Sequence, residues 1–298
     1  MFGLVAGLIV VGCADGSTSA PTTSLIPPAA TTSTTSTTTS TTSTTTSTTS
    51  STTTVPAEPC VLARLGVEQL VVFGNSTDSD YVVDGVIEQP AWTELLRSVD
   101  DVGVLDGVEI INAAEPGQTM GDWDVWGPGP AFKLFLHIPE VLSDWDGDRS
   151  ERTLAVIAPS FIDLQVNGYD PQRALADLRL AIDLLETAGI TTFALPMNSV
   201  SETLDGRFPE LNPGIVAFNA LLSDEPAVTV LVERPPLLGS DGSGDDALFD
   251  DFPGHDLDGT LLGADGFHPD LDGQRRKASA VVDGLVTLVD DTLPAAAC

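Results

Sequence analysis

The chain has 298 residues, 42% of them hydrophobic, which is enough for one large folded domain with a real core and for appendages besides. Its formal net charge of −32 repels phosphate backbones and anionic headgroups, which argues against nucleic acid and polyanionic substrates as partners. Of the three cysteines, Cys13 ends an apolar run, whereas Cys60 and Cys298 bracket everything that looks foldable.

Residues 2–11 are apolar and are followed by Gly12 and Cys13. The run is too short to span a bilayer, which takes about 20 apolar residues, but it suits the hydrophobic region of a secretory signal. Its ending, Val10, Val11, Gly12, Cys13, resembles a bacterial lipobox. That resemblance implies a signal peptide over 1–12, cleavage before Cys13, lipidation of the Cys13 thiol, and acyl chains as the sole membrane anchor. One departure is the lack of any Lys or Arg before the run. A buried core segment is the competing reading, although the polar stretch after Cys13 offers it nothing to pack against. Residues 13–59 are mostly Ser, Thr, Ala and Pro, with an almost pure Ser/Thr tract over 31–54. Such a segment cannot offset the entropy of ordering its backbone and reads as a tether, with the composition of an O-glycosylated stalk. The chain is therefore expected outside the cytoplasm, lipid-anchored or secreted. In that setting a Cys60–Cys298 disulfide would close a loop of more than two hundred residues and contribute about 5 kcal/mol in the chain-entropy model; two unrelated free thiols are the alternative.

The foldable domain, 60–298, alternates strand and helix. Short apolar runs predict strands over 69–74, 108–112, 154–158, 191–195 and 228–232. Helix-period stretches fall at 92–99, 131–142, 171–188, 215–222 and 271–288, with Pro171 and Gly189 bracketing the third. Strict alternation predicts a doubly wound three-layer α/β/α sandwich on a five-stranded parallel sheet, the flavodoxin-like arrangement.

The run Leu70, Val71, Val72, Phe73 ends at Gly74, Asn75 and Ser76, which puts a serine at the carboxyl edge of the first strand, where open α/β folds bind ligands. Gly, Asn and Ser are also ordinary turn residues. Near the other end, Asp265 precedes His268 by three residues, and Pro269 can open a helix. That spacing can set a carboxylate beside an imidazole, the pairing a base and its orienting group need. The chain order Ser, Asp, His fits, and no Gly-x-Ser-x-Gly elbow surrounds Ser76.

Gly74, Asn75, Ser76 and Asp265, Gly266, Phe267, His268, Pro269 resemble the first and last blocks of the SGNH (GDSL-type) hydrolases, and the resemblance covers about 70–288. Asn112, Ala113, Ala114 with Gly117 falls where that family keeps an oxyanion-hole glycine, and Phe218, Asn219, Ala220, Leu221 resembles another recurring feature. The resemblance implies an extracytoplasmic serine esterase with Ser76 as nucleophile, His268 as base and then acid, and Asp265 orienting it. Backbone N–H groups of Ser76 and Gly117 would hold the oxyanion. The family's third donor, an Asn in a Gly-x-Asn-Asp run, is matched by Ser160, Phe161, Ile162, Asp163, so Ile162 brings no side-chain donor. Loss of one such donor costs on the order of 10²- to 10³-fold in rate unless another group substitutes; Asn198 and Asn167 are the candidates. Asn75 stands where the family usually has Asp.

Of the other histidines, His137 reads as a helix residue with a local partner and His255 as a solvated turn residue. Asp144, Asp146 and Asp148 alternate like the start of a calcium loop, but Gly147 is at the fourth position and Ala155 at the twelfth. That cluster and the Asp-rich loop over 241–258 read as solvated acidic loops, and neither a metal nor another cofactor is expected. The acidic surface favours a neutral acyl or acetyl ester, on a small molecule or a glycan, acted on by a monomer. A different class of function, a surface-tethered binding or structural domain on an impaired hydrolase scaffold, draws on Ile162 and Asn75.

Overall fold

The structure, a computed structural model, describes residues 61–83, 86–121, 133–143, 145, 147–200, 208–237 and 268–293. Cys13, Cys60, Cys298, Asp144, Asp146, His255, Asp265 and the loop over 241–258 lie outside the described residues.

Four strands, β1 (Gln69–Phe73), β4 (Glu109–Asn112), β5 (Thr153–Ile157) and β6 (Thr191–Ala194), form a parallel sheet in the order β4-β1-β5-β6. Val71 lies opposite both Ile111 and Ala155, and Ile157 is paired with Phe73 and Ala194. The fifth predicted strand contributes one parallel bridge, Ala194 to Val230, with Ala194 N donating to Thr229 O at 2.9 Å and Leu231 N to Ala194 O at 3.0 Å. Pro235 and Pro236 follow at once, and prolines have no N–H to extend a ladder. Counted along the chain, the parallel strands run 2-1-3-4-5, the flavodoxin-like order.

Both faces of the sheet are covered, which is why its strands read as unbroken apolar runs. Val71, Phe73, Ala155, Ile157 and Ala194 join a core with residues of α2 (Leu134–Val141), α4 (Phe161–Val166), α5 (Pro171–Thr187) and α6 (Leu211–Ser223). Leu70, Val72, Leu154, Val156 and Phe193 point the other way, onto α1 (Trp92–Val99) and α7 (Leu271–Thr292).

The helix ends follow sequence chemistry. Asp170 caps α5 by accepting from Gln172 N and Arg173 N, Pro171 takes the first helical position, and Gly189 lies just past the end with φ of 84°. Asp270 caps α7, its Oδ1 accepting from Gly273 N at 2.8 Å. Beyond the predicted pattern are a 3-10 turn at Leu62–Leu65, the antiparallel hairpin β2 (Tyr81–Val83) and β3 (Val86–Gln89), and the short helices α3 (Gly147–Glu151) and α4.

Candidate active site

Ser76 lies in a turn built directly on the end of β1. A Cβ at Gly74 would fall 2.6 Å from Asp78 Oδ2 and 2.8 Å from Asp78 Cβ, so the chain can fold back here only on a glycine. Asn75 Oδ1 accepts from Thr77 N at 3.0 Å, an Asx-type turn, and Asp78 N donates to Asn75 O at 2.9 Å. Asn75 is 2% exposed; its amide oxygen does a turn-closing task that needs no charge. Ser76 itself is half-buried, and among the described residues neither its hydroxyl nor its N–H makes a hydrogen bond.

Beneath the turn lies a buried ion pair. Asp78 Oδ1 accepts from Lys277 Nζ at 2.6 Å and from Trp92 Nε1 at 2.8 Å, and Oδ2 accepts from Thr77 Oγ1 at 3.1 Å. Lys277 Nζ also donates to Thr77 O at 3.0 Å, and Gln274 Nε2 donates to the same carbonyl at 3.3 Å. Asn112, the last residue of β4, donates from Nδ2 to Asp78 O at 3.1 Å. The first two turns of α7 therefore grip the peptide next to Ser76 from 200 residues away.

His268 and Pro269 lead directly into α7. Gln89, the last residue of β3, donates from Nε2 to Pro269 O. Thr77 and Pro269, which flank Ser76 and His268 in sequence, line one small pocket together with Lys277. The sequence segments carrying Ser76 and His268 thus meet at one rim of the sheet.

Gly117 comes from the neighbouring strand. After β4 the chain turns at residues 115–118, Gln118 N donating to Glu115 O at 3.1 Å, with Gly117 at φ 77°, the sign a type II turn requires there. Glu115 N donates to Gly74 O at 3.3 Å, tying this turn to the end of β1. Gly117 N–H has no partner among the described residues.

On β5's side, Ser160 caps α4 and Ile162 N donates to Ser160 Oγ at 3.3 Å, while the Ile162 side chain packs on the core. Asp163 is fully enclosed: Oδ1 accepts from Met120 N at 2.8 Å and Oδ2 from Ser160 N at 2.9 Å. It links the chain after Gly117 to the start of α4. Burial pushes its carboxyl up to about 7, against the two N–H donors and with help from the charge of Asp177. Asn167, one expected substitute donor, is committed elsewhere, since its Nδ2 donates to Asp163 O at 2.8 Å and Asp177 Oδ2 at 2.9 Å. An amide nitrogen has two protons, and both are used. Asn198 remains: its Oδ1 accepts from Leu237 N at 3.3 Å, and it lines the pocket beside Thr77.

Two asparagines of α6 fix the chain after β6. Asn219 accepts from Met197 N at 2.8 Å and donates to Met197 O at 2.9 Å; Asn212 does the same to Val200, both at 3.0 Å. His137 is a residue of α2, and its Nε2 lies 3.1 Å from Ala113 O, a partner 24 residues away instead of a local one. Among the described residues no group of three or more His, Cys, Asp or Glu is arranged to hold a metal ion.

Lys277, Asp78, Gln274 and Asn212 are the site residues that motif reading missed. Lys277 left one sign, a cation in the stripe that α7 buries with Ala278, Val281, Val282 and Leu285. Asp78 left none.

The chain matches no protein-family model and no curated protein sequence. Solved structures do resemble it. A protein assigned as an arylesterase from Agrobacterium tumefaciens superposes with a TM-score of 0.51 at 15% identity, over 76% of this chain and 100% of that one. A member of the lipolytic G-D-S-L family from Veillonella parvula gives 0.47 at 17% over 73% and 97%, and a lipase/acylhydrolase from Enterococcus faecalis gives 0.47 at 17% over 74% and 97%. With the strand order and both covered faces, the Agrobacterium superposition establishes that this chain has a doubly wound α/β/α fold shared with that protein.

Proposed function

We propose that the chain is a serine ester hydrolase of the SGNH (GDSL) type, working outside the cytoplasm on a neutral acyl or acetyl ester. The observation that carries this reading is the grip of α7 on the Ser76 turn, Lys277 and Gln274 both donating to Thr77 O, because α7 begins just after His268. Ser76 Oγ attacks the ester carbonyl as His268 takes its proton, with Asp265 orienting the imidazole. The tetrahedral oxyanion is held by the N–H groups of Ser76 and Gly117, which come from adjacent strands and are left free by their own turns. His268 then protonates the departing alcohol, leaving an acyl-Ser76; water, deprotonated by His268, releases the acid. Catalytic hydrogen bonds of this kind tighten in the substrate complex, so the Ser76 hydroxyl need not be engaged beforehand. The purified protein should hydrolyse p-nitrophenyl acetate, and Ser76→Ala should abolish turnover; equal rates for the two would sink the proposal.

The N-terminal readings complete it: a signal peptide over 1–12, Cys13 as the lipidated anchor, a tether to residue 59, and a Cys60–Cys298 disulfide closing a monomeric domain. A second reading has one observation in its favour, the aliphatic side chain of Ile162 packed on the core where the family's donor would stand. On that reading the domain is a tethered binding module. A fluorophosphonate probe separates the two, since covalent labelling at Ser76 requires an activated serine.

A further inference from the structure

The pocket between the ends of β1, β5 and β6 has an unusual polar balance. It is walled by apolar atoms of Pro159, Phe161, Val200 and Leu237, and the space open to a water-sized group is about 20 Å³, room for about one hydroxyl. Most of its polar groups are already engaged. Lys277 is neutralised by Asp78, Thr77 Oγ1 donates to Asp78, Ser160 Oγ accepts from Ile162 N, and both backbone groups of Val200 are held by Asn212. Two are not. Ser199 is 2% exposed, lines the pocket, and its Oγ has no hydrogen-bond partner among the described residues. Beside it, Asn198 has its oxygen fixed by Leu237 N, and its Nδ2 has no partner among the described residues. A buried hydroxyl left unpaired costs about 1–3 kcal/mol. A loop clamped at Met197 and Val200 by Asn219 and Asn212 cannot rotate to relieve it.

We propose that Ser199 and Asn198 form a subsite for a hydroxyl group on the substrate, so that the enzyme selects esters bearing a hydroxyl a few bonds from the scissile carbonyl. The proposal rests on the esterase reading above. A hydroxyl can donate to Ser199 Oγ and accept from Asn198 Nδ2 at once, which a methyl cannot. Among the described residues no uncompensated charge faces the pocket, so an anionic or cationic group would be desolvated there without a counter-ion from them. The pocket reaches Thr77, the residue next to Ser76, which puts a hydroxyl bound there on the side of the scissile carbonyl. That hydroxyl can belong to the acyl part, as in a 2-hydroxyacyl ester, or to the alcohol, as in a polyol or sugar ester.

Two substrate pairs distinguish these sources: phenyl lactate against phenyl propanoate, and glycerol monoacetate against propyl acetate, each measured as kcat/KM with wild type and Ser199→Ala. In one pair the wild type should favour the hydroxylated ester by about tenfold or more, as sites built to bind a hydroxyl do, and Ser199→Ala should bring that ratio close to one. Ser199→Ala should also unfold no earlier than wild type, because it removes an unpaired buried group. Equal rates on both pairs, an unchanged ratio in the variant, or clear destabilisation by Ser199→Ala each overturn the subsite while leaving the esterase standing. Absence of turnover on all four esters, together with no fluorophosphonate label on Ser76, overturns the esterase and the subsite together.

Discussion

Lys277 and Asp78 meet at 2.6 Å with each side chain 1% exposed, 199 residues apart in the chain and directly under the turn that carries Ser76. Breaking such a pair from one side strands a buried charge. Lys277→Met should destabilise the fold by about 3–5 kcal/mol, and adding Asp78→Asn should recover part of the loss instead of adding to it. Urea unfolding of the two variants checks this; a Lys277→Met cost under about 1 kcal/mol would mean the pair does not bear on stability.

Gly74 makes the same turn possible from the other side. In Gly74→Ala the new methyl must displace the Asp78 carboxylate, which cannot retreat without losing Lys277 and Trp92. A cost of about 1–3 kcal/mol is expected, with fluorophosphonate labelling of Ser76 falling in parallel. Labelling at the wild-type rate would show that the turn tolerates the methyl.

Asp163 gives the molecule a pH signature. Its carboxyl is pushed up to about 7 by burial, above the unfolded value, so between about pH 4 and 7 the native state holds a proton that the unfolded chain has released. The stabilisation from that proton is full below about pH 4 and is lost as pH rises through about 7, at up to about 1.4 kcal/mol per pH unit. Asp163→Asn should flatten this slope in urea midpoints taken from pH 4 to 8. It should also be less stable throughout, since an amide can accept only one of the N–H groups of Met120 and Ser160 without presenting its own protons to the other.

The asparagine clamps separate stability from activity. Asn219→Asp can still accept from Met197 N but cannot donate to Met197 O, and should cost about 1–3 kcal/mol. Asn219→Ala loses both bonds and should raise KM more than it lowers kcat if the chain after β6 lines the substrate pocket. The KM-to-kcat split, read from steady-state kinetics, checks that assignment.

Much of the fold was legible because a sheet covered on both faces writes itself as apolar runs. Leu70 through Phe73 were readable as a buried strand, and Asp170-Pro171 to Gly189 as a complete helix, from local chemistry alone. The fifth predicted run pairs through a single bridge at Val230, which the run itself did not reveal. What escaped was short or distant. Six residues of α4 carry too little period, and only Ser160 with Asp163 marked its start. Asn167 looked available as a donor because sequence does not reveal that Asp177 lies across from it. Asp78 sits in a polar turn like any other, and its partner is a whole domain away.

That long reach has a consequence for how the protein comes into being. β1 leaves a ribosome well before α7, yet α7 supplies, from 200 residues away, the groups that steady the loop after β1. A nascent chain that has not yet reached α7 therefore lacks the Lys277 and Gln274 bonds to Thr77 O. On the esterase reading proposed above, the site can assemble only after α7 has emerged.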